Sequence, residues 1–249
     1  MLERIKGTLV LLPLGIAFVC GDLVVSIVTI ILSVLAFLEL HTAFKNKGIF
    51  VQLFPPLILT VTLIFNLVIP IDHLITSIAT TLLLLVAALA ILRRNNIVDI
   101  AVTTFSILYA FYPFYCMSNL FSLNVNIVAL IFITSFATDV FAYLTGKFVG
   151  KHKLIPDVSP NKTIEGSVGG VVGAMLFGCM FIYFVHLPIH FIAFVFIGSI
   201  VAQFGDLFAS SIKRYCQIKD FGKLIPGHGG VLDRFDSVIF VTLLATLFI

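Results

Sequence analysis

Long apolar runs constrain this chain more than any other feature. Nine stretches, at about 7–20, 23–44, 49–69, 73–92, 97–117, 125–145, 166–185, 189–212 and 234–249, are made mostly of aliphatic and aromatic residues. A helix that crosses a bilayer needs roughly 20 such residues, because in hydrocarbon a segment must satisfy its own backbone hydrogen bonds. Charged residues make up 11% of the chain, against about 25% in soluble domains. The runs are continuous, without the period-two alternation of a membrane β-barrel. The expectation is an all-α polytopic membrane protein with about nine transmembrane helices. Arg4 and Lys6 ahead of the first run give it the outline of a signal peptide. "FVC" at 18–20 is a poor cleavage site and a second apolar run follows at once, so the segment is expected to be retained. The four cysteines, Cys20, Cys116, Cys179 and Cys216, form no CxxC pair or Cys/His cluster, and neither disulfides nor zinc are expected.

Charge placement orients these spans. If the N-terminus and every loop after an even-numbered span share one side, that side holds all 15 Lys and Arg residues. Basic residues concentrate in cytoplasmic loops, so the N-terminus and the loops at 146–165 and 213–233 are expected inside and the C-terminus outside. The net charge of +3 is then a signal of sidedness, reinforced by attraction to anionic head groups, and not of nucleic-acid binding.

The two halves differ in character. Residues 1–120 read as a scaffold or dimerisation half. The polar residues of its spans, Asp22, Glu39, His41, Asp72 and Asp99, fall near span ends or short loops and read as interfacial solvation. "FPP" at 54–56 is expected to kink the third span. Residues 121–249 read as the catalytic half. Asp139 lies within the sixth span, where a carboxylate is costly and normally marks a site or a water-filled cavity. On the eighth span Ser199, Gln203, Asp206, Ser210 and Lys213 recur at helical spacing and form one polar stripe. Interhelical hydrogen bonding would account for Ser and Gln, whereas the Asp206 charge needs a partner. Gly166, Gly170 and Ala174, with Gly169 and Gly173, are spaced for close helix packing that would bring the sixth and eighth spans together around Asp139 and Asp206.

The two loops carry the chemistry. "GKFVGK" at 146–151 fails the phosphate-loop pattern, which needs four residues before Gly-Lys and a Ser or Thr after it. In "SPNKTIEG", Ser159, Asn161 and Thr163 are candidate helix caps and Glu165 a candidate capping-box acid. Lys162 beside a helix N-terminus suits a phosphate. "KDFGKLIPGHGGVLDRFDS" at 219–237 gathers Asp220, Asp233 and Asp236 with Lys219, Lys223, Arg234 and a Gly-flanked His228. Cations for phosphates and hard carboxylate oxygens for Mg²⁺ together describe a phosphoryl- or nucleotidyl-transfer site; mutual neutralisation in salt bridges is the alternative.

At these residues a resemblance appears. "SSIKRYCQIKDFGKLIPGHGGVLDRFD" at 210–236 resembles the C-terminal motif of the phosphatidate cytidylyltransferase (CDP-diacylglycerol synthase) family, S-x-x-K-R, then K-D, a Gly-containing spacer and H-G-G-x-x-D-R-x-D. "SPNKTIEG" is similar to a second family element and "DVFAYLTGKFVGKHK" to a third, with Ile164 standing where the family usually has an aromatic. The resemblance covers roughly residues 135–240.

It implies that CTP and phosphatidate react to CDP-diacylglycerol and pyrophosphate in phospholipid biosynthesis. It implies Asp206, Asp233, Lys213 and Arg234 as catalytic residues. Asp206 and Asp233 would hold Mg²⁺, with Asp236 and Asp139 as the next candidates, and a monovalent cation such as K⁺ is implied beside it. Lys162, Ser210, Arg214, Lys219, His228, Gly229 and Gly230 would bind substrate phosphates. A homodimer in the cell membrane, its active site facing the cytoplasm, is also implied. Two rival readings are an ion-coupled transporter, which would need acidic groups reachable from both faces, and a cytidylyltransferase for another lipid phosphate.

Overall fold

The computed structural model describes residues 21–68, 96–222 and 229–249. Its elements are α1 (Asp22–Lys45), α2 (Phe54–Val68), α3 (Ile97–Leu123), α4 (Val125–Phe148), β1 (Lys153–Ile155), β2 (Ser159–Thr163), α5 (Ile164–Phe184), α6 (Phe191–Tyr215) and α7 (Leu232–Ala245). Among the described residues five helices, α1, α3, α4, α5 and α6, are long and apolar enough to cross a membrane. The predicted spans at 7–20 and 73–92 lie outside the described residues. The predicted last span is a helix of 14 residues, about 21 Å at 1.5 Å per residue and so shorter than a hydrocarbon core of about 30 Å.

Local chemistry sets the boundaries. Helix α2 begins at Phe54, so Pro55 and Pro56 fall in its first turn. The expected kink is therefore absent: the first backbone N–H groups of a helix have no intrahelical partner, and proline there removes nothing. The Asn124 side chain accepts from Asn126 N at 2.9 Å and opens α4; Thr163 Oγ1 accepts from Gly166 N at 3.1 Å and opens α5. Helix α6 ends in a left-handed residue, Gln217 at φ 57°, with Ile218 N bonded back to Lys213 O at 2.9 Å, the Schellman arrangement.

The all-α expectation needs one amendment. The loop at 146–165 contains a two-stranded antiparallel sheet in which Lys153 faces Thr163 and Ile155 faces Ser159. Its second strand, Ser-Pro-Asn-Lys-Thr, lacks the β-branched alternation that announces a strand, and Pro160 is tolerated because the ladder has only two members.

The described residues fall into two compact units, one within Met1–Ser118 and Asp220–Val231, the other within Asn119–Lys219 and Leu232–Ile249. In the first, α1 packs on α2 and meets α3 through Phe37–Phe111 and Phe44–Phe105 ring contacts. Asp99 accepts from Phe50 N at 3.0 Å and Thr103 Oγ1 from Gln52 N at 3.0 Å, which ties the segment before α2 to α3.

In the second unit α5 lies against α4, α7 against α6, and α4 also meets α6 and α7. Leu130, Ile131, Phe194, Val195, Leu232, Val238 and Ile239 seal its core. Phe136, Val140, Val168, Val172, Leu176 and Phe204 are exposed apolar side chains, as lipid-facing positions should be. The glycines of α5 bring it against α4: a Cβ on Gly166 would stand 2.7 Å from Ala142 O, and one on Gly170 2.8 Å from Thr138 O. The predicted close packing is thus with α4, backbone against backbone.

Candidate active site

A cavity of about 420 Å³ opens in the second unit, and Asp139, Asn161, Lys162, Ser167, Gln203 and Asp206 are among its lining residues. Four elements deliver these groups. Helix α4 supplies Asp139, β2 supplies Asn161 and Lys162, α5 supplies Ser167, and α6 supplies Gln203 and Asp206. The tight α4–α5 contact and the Thr163 cap fix where β2 hands over to α5, and hence where Lys162 stands.

The stripe on α6 is a hydrogen-bonded ladder. Ser199 donates to Phe196 O at 2.7 Å. Gln203 Nε2 donates across to Ser167 O at 3.2 Å and back to Ser199 O at 3.3 Å. Asp206 Oδ2 pairs with Lys162 Nζ at 2.6 Å, and its Oδ1 accepts from Ser210 at 3.5 Å. At the end of the stripe Lys213 Nζ pairs with Asp233 Oδ1 at 2.8 Å. The predicted need of Asp206 for a partner is met by Lys162.

The other acidic residues gather near this ladder. Asp139 Oδ2 accepts from Ser237 Oγ at 3.0 Å, and Asp236 Oδ1 accepts from Ser237 N at 2.8 Å. Asp139, Asp206 and Asp236 lie within electrostatic range of one another, and Lys213 acts on Asp236 as well. Asp206 and Asp233, the first pair proposed for a metal, sit in two different ion pairs. Asp206 shares the cavity wall with Asp139, whereas the Asp233 side chain is 5% exposed. Ser237 was not singled out from the sequence; its position next to Asp236 was the only available signal.

The remaining candidates are more dispersed. Arg214 Nε donates to Val158 O at 3.3 Å, tying the end of α6 to the turn of the hairpin. Lys219 is exposed and Arg234 half-buried in the first turn of α7. In the first unit Gly229 has φ +86°, a conformation that favours glycine, and Gly230 is buried. His228 lies outside the described residues.

Two sequence-level readings are corrected. Glu165 does not close a capping box: with Thr163 as the cap it stands one residue short of the required position. Its carboxylate instead accepts from Lys151 N at 3.1 Å and pairs with His152 Nδ1 at 2.6 Å, fastening the start of the hairpin to the start of α5. Glu39, read as interfacial solvation, is buried in α1 and accepts from Val231 N at 2.8 Å. A lone Glu in an apolar helix carries no pattern, so no signal could have found it.

The chemistry of this arrangement is anionic substrate handling. Carboxylates crowded at a cavity repel one another and favour a cation among them. Among the described residues no three His, Cys, Asp or Glu side chains stand together at ligating spacing. An ion held here would therefore rely on one or two carboxylates plus substrate phosphates, the usual way Mg²⁺ is bound. The donors present fit that ion. Lys162, a lining residue of the same cavity, has the chemistry of a charge-assisted donor to a phosphate.

The chain matches the cytidylyltransferase family over residues 3–249. It is 34% identical over 250 residues to the phosphatidate cytidylyltransferase of Staphylococcus aureus (strain COL), an alignment that covers 96% of this chain and 94% of that protein. Against the phosphatidate cytidylyltransferase of Bacillus subtilis (strain 168) it is 37% identical over 173 residues, 66% of this chain and 64% of that protein. A third relative of the same name, from Staphylococcus haemolyticus, is 38% identical over 152 residues, 60% of this chain and 58% of that protein. With the match running through nearly the whole chain, this protein belongs to the cytidylyltransferase family.

Proposed function

We infer that the protein is a phosphatidate cytidylyltransferase, which joins CTP and phosphatidate into CDP-diacylglycerol with release of pyrophosphate. The observation that carries this reading is the cavity in which Asp139, Asp206 and Lys162 meet, in a chain of this family.

The reaction is an in-line displacement. An oxygen of the phosphatidate phosphate forms a bond to the α-phosphorus of CTP. The bond from that phosphorus to the bridging oxygen breaks, and pyrophosphate leaves with the electron pair. No general base is required, since a phosphate monoester with a second pKa of about 6 is already largely ionised at neutral pH. The task of the protein is to hold two polyanions together and neutralise the charge on the leaving group. Lys162 exchanges its Asp206 partner for a substrate phosphate within the cavity. Lys213 and Arg234 add positive potential, and Arg214 fixes the hairpin that carries Lys162. Ser210 orients Asp206, and Ser237 orients Asp139. Gly229 and Gly230, with Lys219 and His228, are assigned to the triphosphate. Bound Mg²⁺, held by Asp206 and Asp233 with Asp236 and Asp139 in support, would supply Lewis-acid stabilisation of the phosphoryl oxygens. A monovalent cation beside it and a homodimeric assembly are carried over from the resemblance.

The proposed setting is the cell membrane, with the cleft facing the cytoplasm, a reading supported by the one-sided placement of Lys and Arg. The test is purified protein in detergent with labelled CTP, phosphatidate and Mg²⁺. Pyrophosphate release that requires both lipid and Mg²⁺ is expected. Release without a lipid acceptor would point to a different reaction, and turnover only with another lipid phosphate would change the substrate.

A further inference from the structure

Two faces of α4 meet along one line. Asp139, Ala142, Tyr143, Gly146 and Lys147 line the cavity, at the three- and four-residue steps of one side of a helix. Phe136, Val140, Tyr143 and Lys147 fall at offsets 0, 4, 7 and 11, a second stripe on the same helix, and all four are exposed. In a spanning helix, exposed apolar positions face lipid. Tyr143 and Lys147 belong to both stripes, so the cavity wall and the lipid-facing surface join at these two residues. Lys147 lies in the last turn of α4, about 12 Å along the axis from Asp139 at 1.5 Å per residue. Its Nζ stands 6.0 Å from the centroid of the Tyr143 ring and 5.9 Å from that of Phe148, contacts that favour the charge at this join. Among the described residues no carboxylate is within ion-pair distance of Lys147, whereas Lys162 and Lys213 are each held by an aspartate. A phosphate that reaches Lys147 has no acid to displace. Lysine and aromatic residues at a span end also serve as interface anchors, but an anchor has no need to line a cavity.

We propose that Lys147 binds the phosphate of the lipid substrate: a phosphate monoester carried by a lipid in the leaflet enters the cavity along the Phe136–Val140–Tyr143 stripe and is met first by Lys147. The proposal rests on the functional reading above, which makes that lipid phosphatidate. The lysine charge suits the phosphate, and the apolar residues below it suit chains that stay among the lipids. CTP arrives from water and has no use for such a stripe. Lys162 lines the same cavity, so a phosphate held at Lys147 is already within the space where the reaction is placed.

The test compares wild type, Lys147→Met and Lys147→Arg in nonionic detergent micelles in which phosphatidate is the sole anionic lipid. KM for phosphatidate (as mole fraction in the micelle), KM for CTP and kcat are read from pyrophosphate release, and binding of labelled phosphatidate is measured without CTP. Lys147→Met should raise KM for phosphatidate by about tenfold, the scale of one lost charge-assisted hydrogen bond, and weaken phosphatidate binding in proportion, with KM for CTP unchanged. Lys147→Arg keeps the charge and should recover most of the loss. A rise in KM for CTP alone, an equal rise in both KM values, or no change in either would overturn the proposal. Unchanged KM values with a lowered thermal midpoint would mark Lys147 as an interface anchor and overturn it too. Absence of lipid-dependent pyrophosphate release in the wild type would overturn the functional reading by itself. In that case weaker phosphatidate binding by Lys147→Met would still support the lysine as a lipid-phosphate site, and equal binding would overturn it.

Discussion

Two lysine–aspartate pairs stand along the same helix and differ in what surrounds them. Lys162–Asp206 lies at the cavity, with side chains 26% and 29% exposed, and Lys213–Asp233 is sealed, at 12% and 5%. An ion pair open to solvent is worth little, about 0–1 kcal/mol, so its members can trade partners when a phosphate or a cation arrives. A sealed pair cannot let one member go cheaply: removing a partner takes a short-range countercharge from a buried group, at about 3–5 kcal/mol. The open pair is suited to exchange, and the closed pair to holding α6 and α7 together, Asp233 being released only to another cation that takes the place of Lys213. One stripe of a single helix thus carries a working end and an anchoring end.

Mutations can break this distinction. Asp206→Asn is expected to lower pyrophosphate release by roughly 10²–10³-fold, the scale of losing one preorganised charge at a transition state, while the thermal midpoint in detergent stays near wild type. A large drop in that midpoint would show that the two pairs are not different in kind. Asp233→Asn should also reduce turnover and, unlike Asp206→Asn, destabilise the protein by about 3–5 kcal/mol. Adding Lys213→Met to it should restore the midpoint without restoring turnover; recovery of both would remove Asp233 from the proposed metal ligands. Lys162→Met should raise the KM of the substrate whose phosphate it meets by about tenfold or more, as expected for a charge-assisted hydrogen bond, with little change in stability. The smallest effect should come from Thr163→Ala, which removes the cap of α5 at a cost of about 1 kcal/mol and loosens the strand that carries Lys162. Its KM values should shift only a few-fold, and unchanged thermal unfolding would mean that the cap does not hold this strand.

Much of this was legible in the sequence because covalent spacing encodes it. The positions 199, 203, 206, 210 and 213 can share a face only if the segment is helical, and the apolar run around them says that it is. The glycine spacing of α5 announced a close contact, though only the structure shows that α4 is the partner. Pairings across distance were not legible. Nothing in "SPNKT" declares a strand, since its register comes from residues 153–155 and from the Glu165 clamp. Prolines 55 and 56 have opposite meanings inside a helix and at its start, and only the boundary decides between them. Glu39 and Val231 are 192 positions apart, and no local pattern connects them.

The main-chain contact between α4 and α5 has a consequence for the setting of the reaction. At Gly166 and Gly170 the main chain of one helix lies against that of the other, which leaves little to repack there when lateral pressure or bilayer thickness changes. The spacing between the Asp139 helix and the element that begins just after Lys162 is then set at these two points by peptide backbone. Such a joint is expected to keep its dimensions as the surrounding lipids change, a useful property in an enzyme whose own product alters the composition of the sheet in which it sits.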